Sequence, residues 1–167
     1  MKMGILAVNP KRINGVKFGS WVGLPITREQ LAKKLFLENE LDEFVIEDSE
    51  VPFRIHESAT LEYLNRVAIL YQSNEGHPAT LFMQKLVDDG WYSTIEEGFE
   101  KIGDIIIHRN CNTMVDVAVS FVKDAGYLDG VPDLLERNIN YESIGEELKV
   151  SSYFYNTFGG VIFEMRF

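Results

Sequence analysis

Cys111 and His108 are the residues in this sequence whose types could support nucleophilic catalysis. A cysteine nucleophile needs a nearby base, which a third polar group holds in position. His108 stands three residues before Cys111 at the end of a predicted strand, and this spacing does not indicate a thiol paired with a base. The sequence assigns no third, orienting residue. A cysteine-dependent enzyme is therefore poorly supported.

The sequence also lacks the residue spacings that are typical of metal and nucleotide sites. His56, His77 and His108 show neither HExxH nor CxxC spacing, so ordinary surface or core histidines are expected. The glycines, including Gly159 and Gly160, form no GxGxxG or P-loop pattern. Carboxylate pairs for acid and base chemistry or for binding magnesium remain an open alternative. With 26 acidic residues, however, nearly any pair can be found, so such a pair is not a specific signal. We predict no catalytic residue, no metal site and no cofactor.

The length and composition limit the domain number and the function classes that this chain can have. A chain of 167 residues with 46% hydrophobic residues can form one medium domain or two to three small ones. The net charge of −10 argues against direct nucleic-acid binding and permits a phosphate-like surface. A single cysteine excludes an internal disulfide, and neither a signal peptide nor an apolar run of about 18 residues is present. We expect a cytoplasmic protein without membrane contact.

The charge is unevenly distributed along the chain. Residues 1–34 carry seven basic residues against one acidic residue, residues 35–83 carry two against ten, and residues 84–167 carry seven against fifteen. The densest group, called the acidic run below, consists of Glu38, Glu40, Asp42, Glu43, Glu47, Asp48, Glu50, Glu57 and Glu62. A solvated face that aids solubility is the ordinary explanation of such a run.

Local patterns predict an α+β fold with three small domains. A β-rich N-terminal domain over residues 1–58 contains strands at 3–8, 18–24 and 43–48. Its one helix follows Thr27, which forms a capping box with Gln30.

Residues 59–103 form a predicted helical middle domain. Apolar residues from Leu61 to Tyr71 keep helical spacing, and Pro78 begins a second helix that Gly90 ends. Ser93 and Glu96 are placed as a capping box for a third helix, which Gly103 would end. Aromatic residues of these first two domains and of the next helix suit packing in the core. They are Trp21, Phe44, Phe53, Tyr63, Phe99 and Phe121.

Residues 104–167 form a predicted α+β C-terminal domain. It has a strand over 104–108 and a final hairpin whose turn lies near 157–160. Between them, apolar residues from Met114 to Ala125 recur at helical spacing, and Gly126 suits a left-handed helix end. Val115 and Val119 widen the apolar stripe, which predicts a helix covered by its own domain and by a second subunit.

Three blocks of this sequence resemble the ArdA antirestriction proteins of bacterial mobile genetic elements. They are GSWVGLP at 19–25, EFVIEDSEVPF at 43–53 and AGYLDGVPDLLERNINYESIGEEL at 125–148. The resemblance implies an acidic, elongated homodimer that mimics bent B-form DNA and occupies the DNA groove of a type I restriction-modification enzyme. B-DNA carries one charge per roughly 1.7 Å of its axis, so a mimic needs many carboxylates along an extended surface.

The resemblance implies that the acidic residues form a partner-binding surface. The basic residues at 1–34 are expected to reduce the net negative charge of that surface. The predicted surface comprises the acidic run together with Asp88, Asp89, Glu96, Glu97, Glu100, Asp124, Asp129, Asp133 and Glu136. The alternative function is an acidic adaptor for another basic, DNA-associated or mobile-element protein. An adaptor could use one compact patch, whereas a DNA mimic needs acids along a curved length.

The segment 115–137 resembles the region that carries the family's antirestriction motif, which we assign to the dimer interface and its surroundings. The predicted interface residues are Val115, Val119, Val122, Tyr127, Leu128 and Leu134. Relatives often have a basic residue after the Tyr-Glu and Gly pattern, whereas this chain has Glu146 after Gly145. A salt bridge made there by relatives is therefore expected to be absent or rearranged.

Overall fold

The computed structural model describes residues 2–56 and 58–166. The chain forms two compact units, Met1–Glu100 and Lys101–Phe167, and helices and strands are mixed in an α+β fold, as predicted. The boundary between the units falls close to the predicted one at residue 103. The predicted division near residue 58 falls inside the first unit and stays a prediction.

The first unit contains an antiparallel sheet with strand order β2-β1-β3. Its strands are β1 (Gly4–Val8), β2 (Gly19–Gly23) and β3 (Val45–Glu50). Ile5 of the central strand is fully buried between Val22 and Ser49, so one face of the sheet enters the core. All three predicted strands are confirmed, but β3 begins and ends two residues later than predicted.

Helices complete the first unit. They are α1 (Arg28–Leu35), α2 (Leu61–Ser73), a 3-10 helix (Pro78–Phe82), α3 (Met83–Asp88) and α4 (Ile95–Glu100). The predicted capping box of Thr27 and Gln30 is confirmed.

The predicted capping box at α4 is wrong by one residue. Thr94, and not Ser93, accepts a hydrogen bond through Oγ1 from the backbone N–H of Glu97 at 3.1 Å. Glu97 in turn accepts one from the N–H of Ser93 at 2.8 Å. The helix ends at Glu100, before the predicted Gly103, because a separate 3-10 helix (Ile102–Asp104) follows.

The second unit pairs a sheet with helices. Its strands β4 (Ile106–Arg109), β5 (Tyr153–Asn156) and β6 (Val161–Met165) are antiparallel in the order β4-β6-β5. Its helices are α5 (Met114–Asp124), α6 (Asp133–Glu136) and α7 (Tyr141–Ser151). The predicted strand, helix and hairpin are confirmed, and Gly126 has the predicted left-handed conformation, with φ of 69°. Pro132 stands at the N-cap of α6 and not inside its first turn.

Packing between α5 and α7 depends on a glycine. A Cβ atom on Gly145 of α7 would lie 2.9 Å from the backbone oxygen of Met114, closer than a real Cβ approaches. Val117 and Ile162 form the adjoining core with Cys111. No helix in the described part of the chain is long and apolar enough to cross a lipid bilayer.

Candidate acidic surface

Strand β3 presents the centre of the acidic run at an edge of the sheet. Asp48 is paired with Leu6 and Glu50 with Gly4, whereas Glu47 lies at a register shift and has no Cα partner on β1. The side chains of all three acids are exposed. A register shift of this kind bends a strand and redirects its side chains. Charge on an edge strand also opposes pairing with the edge of another sheet.

Cations of the N-terminal segment neutralise part of the acidic run. Lys11 Nζ lies 3.6 Å from Glu38 Oε2 and 3.5 Å from Asp42 Oδ2. The charges of Asp42 and Glu38 raise the pKa of Lys11, since they favour its charged form. Arg28 Nε lies 3.2 Å from Glu62 Oε1.

Glu47 is neutralised in the same way, by an ion pair with Lys17. The expected dilution by basic residues therefore takes the form of specific ion pairs. Among the described residues, Glu43, Asp48 and Glu50 form no ion pair, so they project uncompensated negative charge. Glu57 of the acidic run lies outside the described residues.

The predicted acids at 88–100 are paired to a similar extent. Arg54 contacts Asp88 at 3.2 Å, Lys85 contacts Asp89 at 2.9 Å, and Arg66 contacts Glu96 at 3.0 Å. The carboxylate of Glu97 caps its own helix. Glu100 is exposed. This group consequently contributes less net charge than its sequence suggests.

The acids of the second unit lie around α5 and α6. Asp124, Asp129, Asp133 and Glu136 are all exposed. Asp133 lies 3.7 Å from Arg137, one helical turn further along the chain. The other three acids form no ion pair among the described residues, so this surface keeps its acidic character.

The residues considered for catalysis have other partners. His108 Nε2 lies 3.0 Å from Glu164 Oε2, and both side chains are largely shielded from solvent. Cys111 is buried, its Sγ donates to the backbone oxygen of Arg109 at 3.4 Å, and burial raises the pKa of its thiol. Within residues 2–56 and 58–166, no group of three or more histidine, cysteine or acidic side chains is placed to hold a metal ion.

A family model of antirestriction proteins, ArdA, matches residues 13–163 of the chain. The chain belongs to the ArdA family. No curated protein matches the chain. The ArdA match covers both units and includes the whole acidic run, so the resemblance noted in the three sequence blocks is confirmed over nearly the entire length.

The segment assigned to the ArdA antirestriction motif contains several exposed apolar residues. Val115 is 40% exposed, Tyr127 63% and Leu134 73%. Val119 and Leu128 are half-buried. Val122 is only 5% exposed, because its side chain packs inside its own unit, and its assignment to the interface stays a prediction.

Glu146, at which the sequence predicts a departure from relatives, has a local partner. Its Oε1 lies 2.7 Å from Nζ of Lys149 on the same helix. This carboxylate therefore has its ion-pair partner within α7, and the comparison with relatives stays a prediction.

Two aromatic residues predicted to lie in the core are exposed in this ArdA chain. Trp21 is 46% exposed and Phe121 42% exposed, so both predictions are wrong. Trp21 lies on the solvent side of β2, and Gly19 and Gly23, two residues away on either side, supply no side chain to cover it. Those flanking glycines are the sequence signal that could have identified an uncovered indole.

Proposed function

We propose that this ArdA protein inhibits type I restriction-modification enzymes by placing its carboxylates in the basic groove that such an enzyme uses for DNA. The observation that carries the proposal is a row of exposed, uncompensated carboxylates at the edge of β3 in a chain of an antirestriction family. The Lys and Arg residues that bind DNA phosphates would pair with these carboxylates. Inhibition is then direct competition with DNA.

Electrostatics sets the expected behaviour of this inhibitor. Opposite charges steer two proteins together and raise the association rate, and salt weakens that effect. Screening becomes strong beyond about 8 Å at physiological ionic strength. Affinity for the enzyme should therefore fall as salt rises.

A homodimer extends the acidic surface in this proposal. Two protomers pair through the exposed apolar residues near α5 and α6, and each contributes one acidic run. The observation that supports pairing is that Val115, Tyr127 and Leu134, which all belong to the segment 115–137, are exposed. Pairing through one such patch would give a symmetric dimer.

The direct test is displacement of labelled DNA from a purified type I methyltransferase core. Increasing amounts of the folded inhibitor are added at low and at moderate salt. Displacement that weakens with salt is the expected result. If the folded protein leaves DNA bound at large excess in low salt, the proposal is wrong, and an adaptor for another basic protein becomes the better explanation.

A pair of charge-reversal variants tests whether the surface at β3 is used. The test variant replaces Glu43, Asp48 and Glu50 with Lys. The control variant replaces Glu142, Glu146 and Glu147 of α7 with Lys and changes the net charge by the same amount. If each contact contributes a fraction of a kcal/mol to about 1 kcal/mol, the test variant should bind about tenfold more weakly or worse. Equal losses in both variants would show that total charge, and not this surface, determines binding.

A further inference from the structure

The outward face of the first sheet places an indole and carboxylates in register. Trp21, Leu6 and Asp48 are directly paired across β2, β1 and β3. Paired residues on neighbouring strands project to the same side of a sheet. Ile5 and Val22, one position along, are buried on the opposite side. The row of Trp21, Leu6 and Asp48 therefore faces solvent.

Glycines leave the indole of Trp21 uncovered. The next row on the same face is Gly23, Gly4 and Glu50. A Cβ atom on Gly4 would lie 3.7 Å from Cε3 of Trp21, so the indole extends over this glycine. Large apolar side chains left exposed beside polar groups are common at protein interfaces, where Trp is enriched among the residues that dominate binding.

The charges on this face indicate which kind of partner it would bind. Asp48 and Glu50 form no ion pair among the described residues, whereas the neighbouring Glu47 is paired with Lys17. Arginine fits both features, because its planar guanidinium stacks on aromatic rings and also donates paired hydrogen bonds to carboxylates. Lysine can form an ion pair but has no plane with which to stack.

We propose that this face, formed by Trp21, Leu6, Asp48 and Glu50, docks an arginine-containing segment of the inhibited enzyme. The proposal rests on the function proposed above and names the side chain that is recognised. Neighbouring strands are about 4.8 Å apart, so the indole and the carboxylates of β3 are separated by roughly 10 Å. One arginine stacks on Trp21, and a second cation of the same segment pairs with Asp48 and Glu50.

Titration with peptides tests the docking face directly. The Trp91→Phe variant leaves Trp21 as the remaining tryptophan, whose fluorescence is followed while a short capped oligo-arginine peptide is added. Saturable quenching is expected, with an oligo-lysine peptide of equal length binding about threefold to thirtyfold more weakly. Replacing Asp48 with Asn and Glu50 with Gln should remove most of the binding. Equal affinity for the two peptides, or no saturable change, would overturn the proposal.

A second measurement, by calorimetry, does not use tryptophan fluorescence and therefore needs no substitution at Trp91. Calorimetric affinity for the oligo-arginine peptide should fall about threefold to thirtyfold in Trp21→Leu and be largely kept in Trp21→Phe. Phe158→Leu, at an aromatic side chain that is 89% exposed in the second unit, is the matched control and should bind normally. Circular dichroism establishes that each variant is folded.

The DNA-displacement assay separates this proposal from the function on which it rests. If the unmodified protein displaces DNA and folded Trp21→Leu does so equally well, the docking face is wrong while the inhibitory function stands. If the unmodified protein displaces no DNA but binds the arginine peptide through Trp21, the inhibitory function is wrong and arginine recognition stands.

Discussion

The ammonium nitrogen of Lys11 lies 3.5 Å from Oδ2 of Asp42, 31 residues further along the chain. The same nitrogen is 3.6 Å from a carboxylate oxygen of Glu38. Lys11 is thus a built-in counterion for the first part of the acidic run. Such exposed ion pairs stabilise a fold only weakly, because both partners remain hydrated. Their main effect is on the charge that a partner meets.

Removing this counterion should strengthen binding to a basic partner. In Lys11→Gln the carboxylates of Glu38 and Asp42 lose their cation, and affinity for the enzyme should rise by a factor on the order of two at low salt. Lys149→Gln is the control, because Lys149 pairs with Glu146 of α7, outside the acidic run. Both variants change the net charge equally. DNA displacement at several salt concentrations measures the difference, and an equal gain in both would contradict a local role for Lys11.

Dimer formation through the segment that contains α5 and α6 is tested by placing charge on its apolar residues. Val119→Lys and Leu134→Lys should give monomers in sizing and light-scattering experiments, because an unpaired charge is costly to bury in an interface. Leu134 is 73% exposed, so its substitution should leave the fold intact. Val150→Lys, at a position that is 89% exposed on α7, is the control. Unchanged dimers in both test variants would count against this interface.

Close contact between α5 and α7 makes Gly145 sensitive to substitution. In Gly145→Ala the added methyl group would meet the Met114 carbonyl, a backbone group that cannot rotate away. Overpacking costs about 1–3 kcal/mol, which outweighs a gain in helix propensity of about 1 kcal/mol at most. Urea denaturation should therefore show a lower free energy of unfolding. Gly103→Ala, where no atom lies within 4 Å of the new methyl, should be nearly neutral.

Acid should destabilise the second unit through Asp116. Its Oδ2 accepts from the backbone N–H groups of Asn112 and Thr113, both at 2.9 Å. These bonds lower the pKa of Asp116 below its ordinary value of 3.8. A carboxyl whose pKa is lower in the folded state contributes stability above its unfolded pKa and loses it as pH falls through the folded value.

Asp116→Asn should accordingly flatten the acid side of the stability profile. Urea denaturation of the variant and the unmodified chain, repeated at pH values from neutral to below 3.8, measures this difference. The two free energies of unfolding should converge as the pH falls. Parallel profiles over that range would contradict the assigned role of these hydrogen bonds.

The sequence predicted the family and most elements of the fold because those signals are local. The capping box of Thr27 and Gln30 and the apolar spacing of α5 are set within a few residues, and both appear in the structure. The position of α4 was less well predicted, since Ser93 and Thr94 offer adjacent caps of similar chemistry and only the folded chain selects Thr94.

The sequence by itself determined how many carboxylates the chain has and roughly where they cluster. Only the tertiary structure decided which of them carry uncompensated charge, because Lys11, Lys17 and Arg28 reach acids 31, 30 and 34 residues away. The exposure of Trp21 has a sequence signal in Gly19 and Gly23, but the strand register of the folded sheet was needed to place Gly4 beside its indole. Whether a side chain is covered depends on strand register and on the residues opposite it, which local periodicity does not specify.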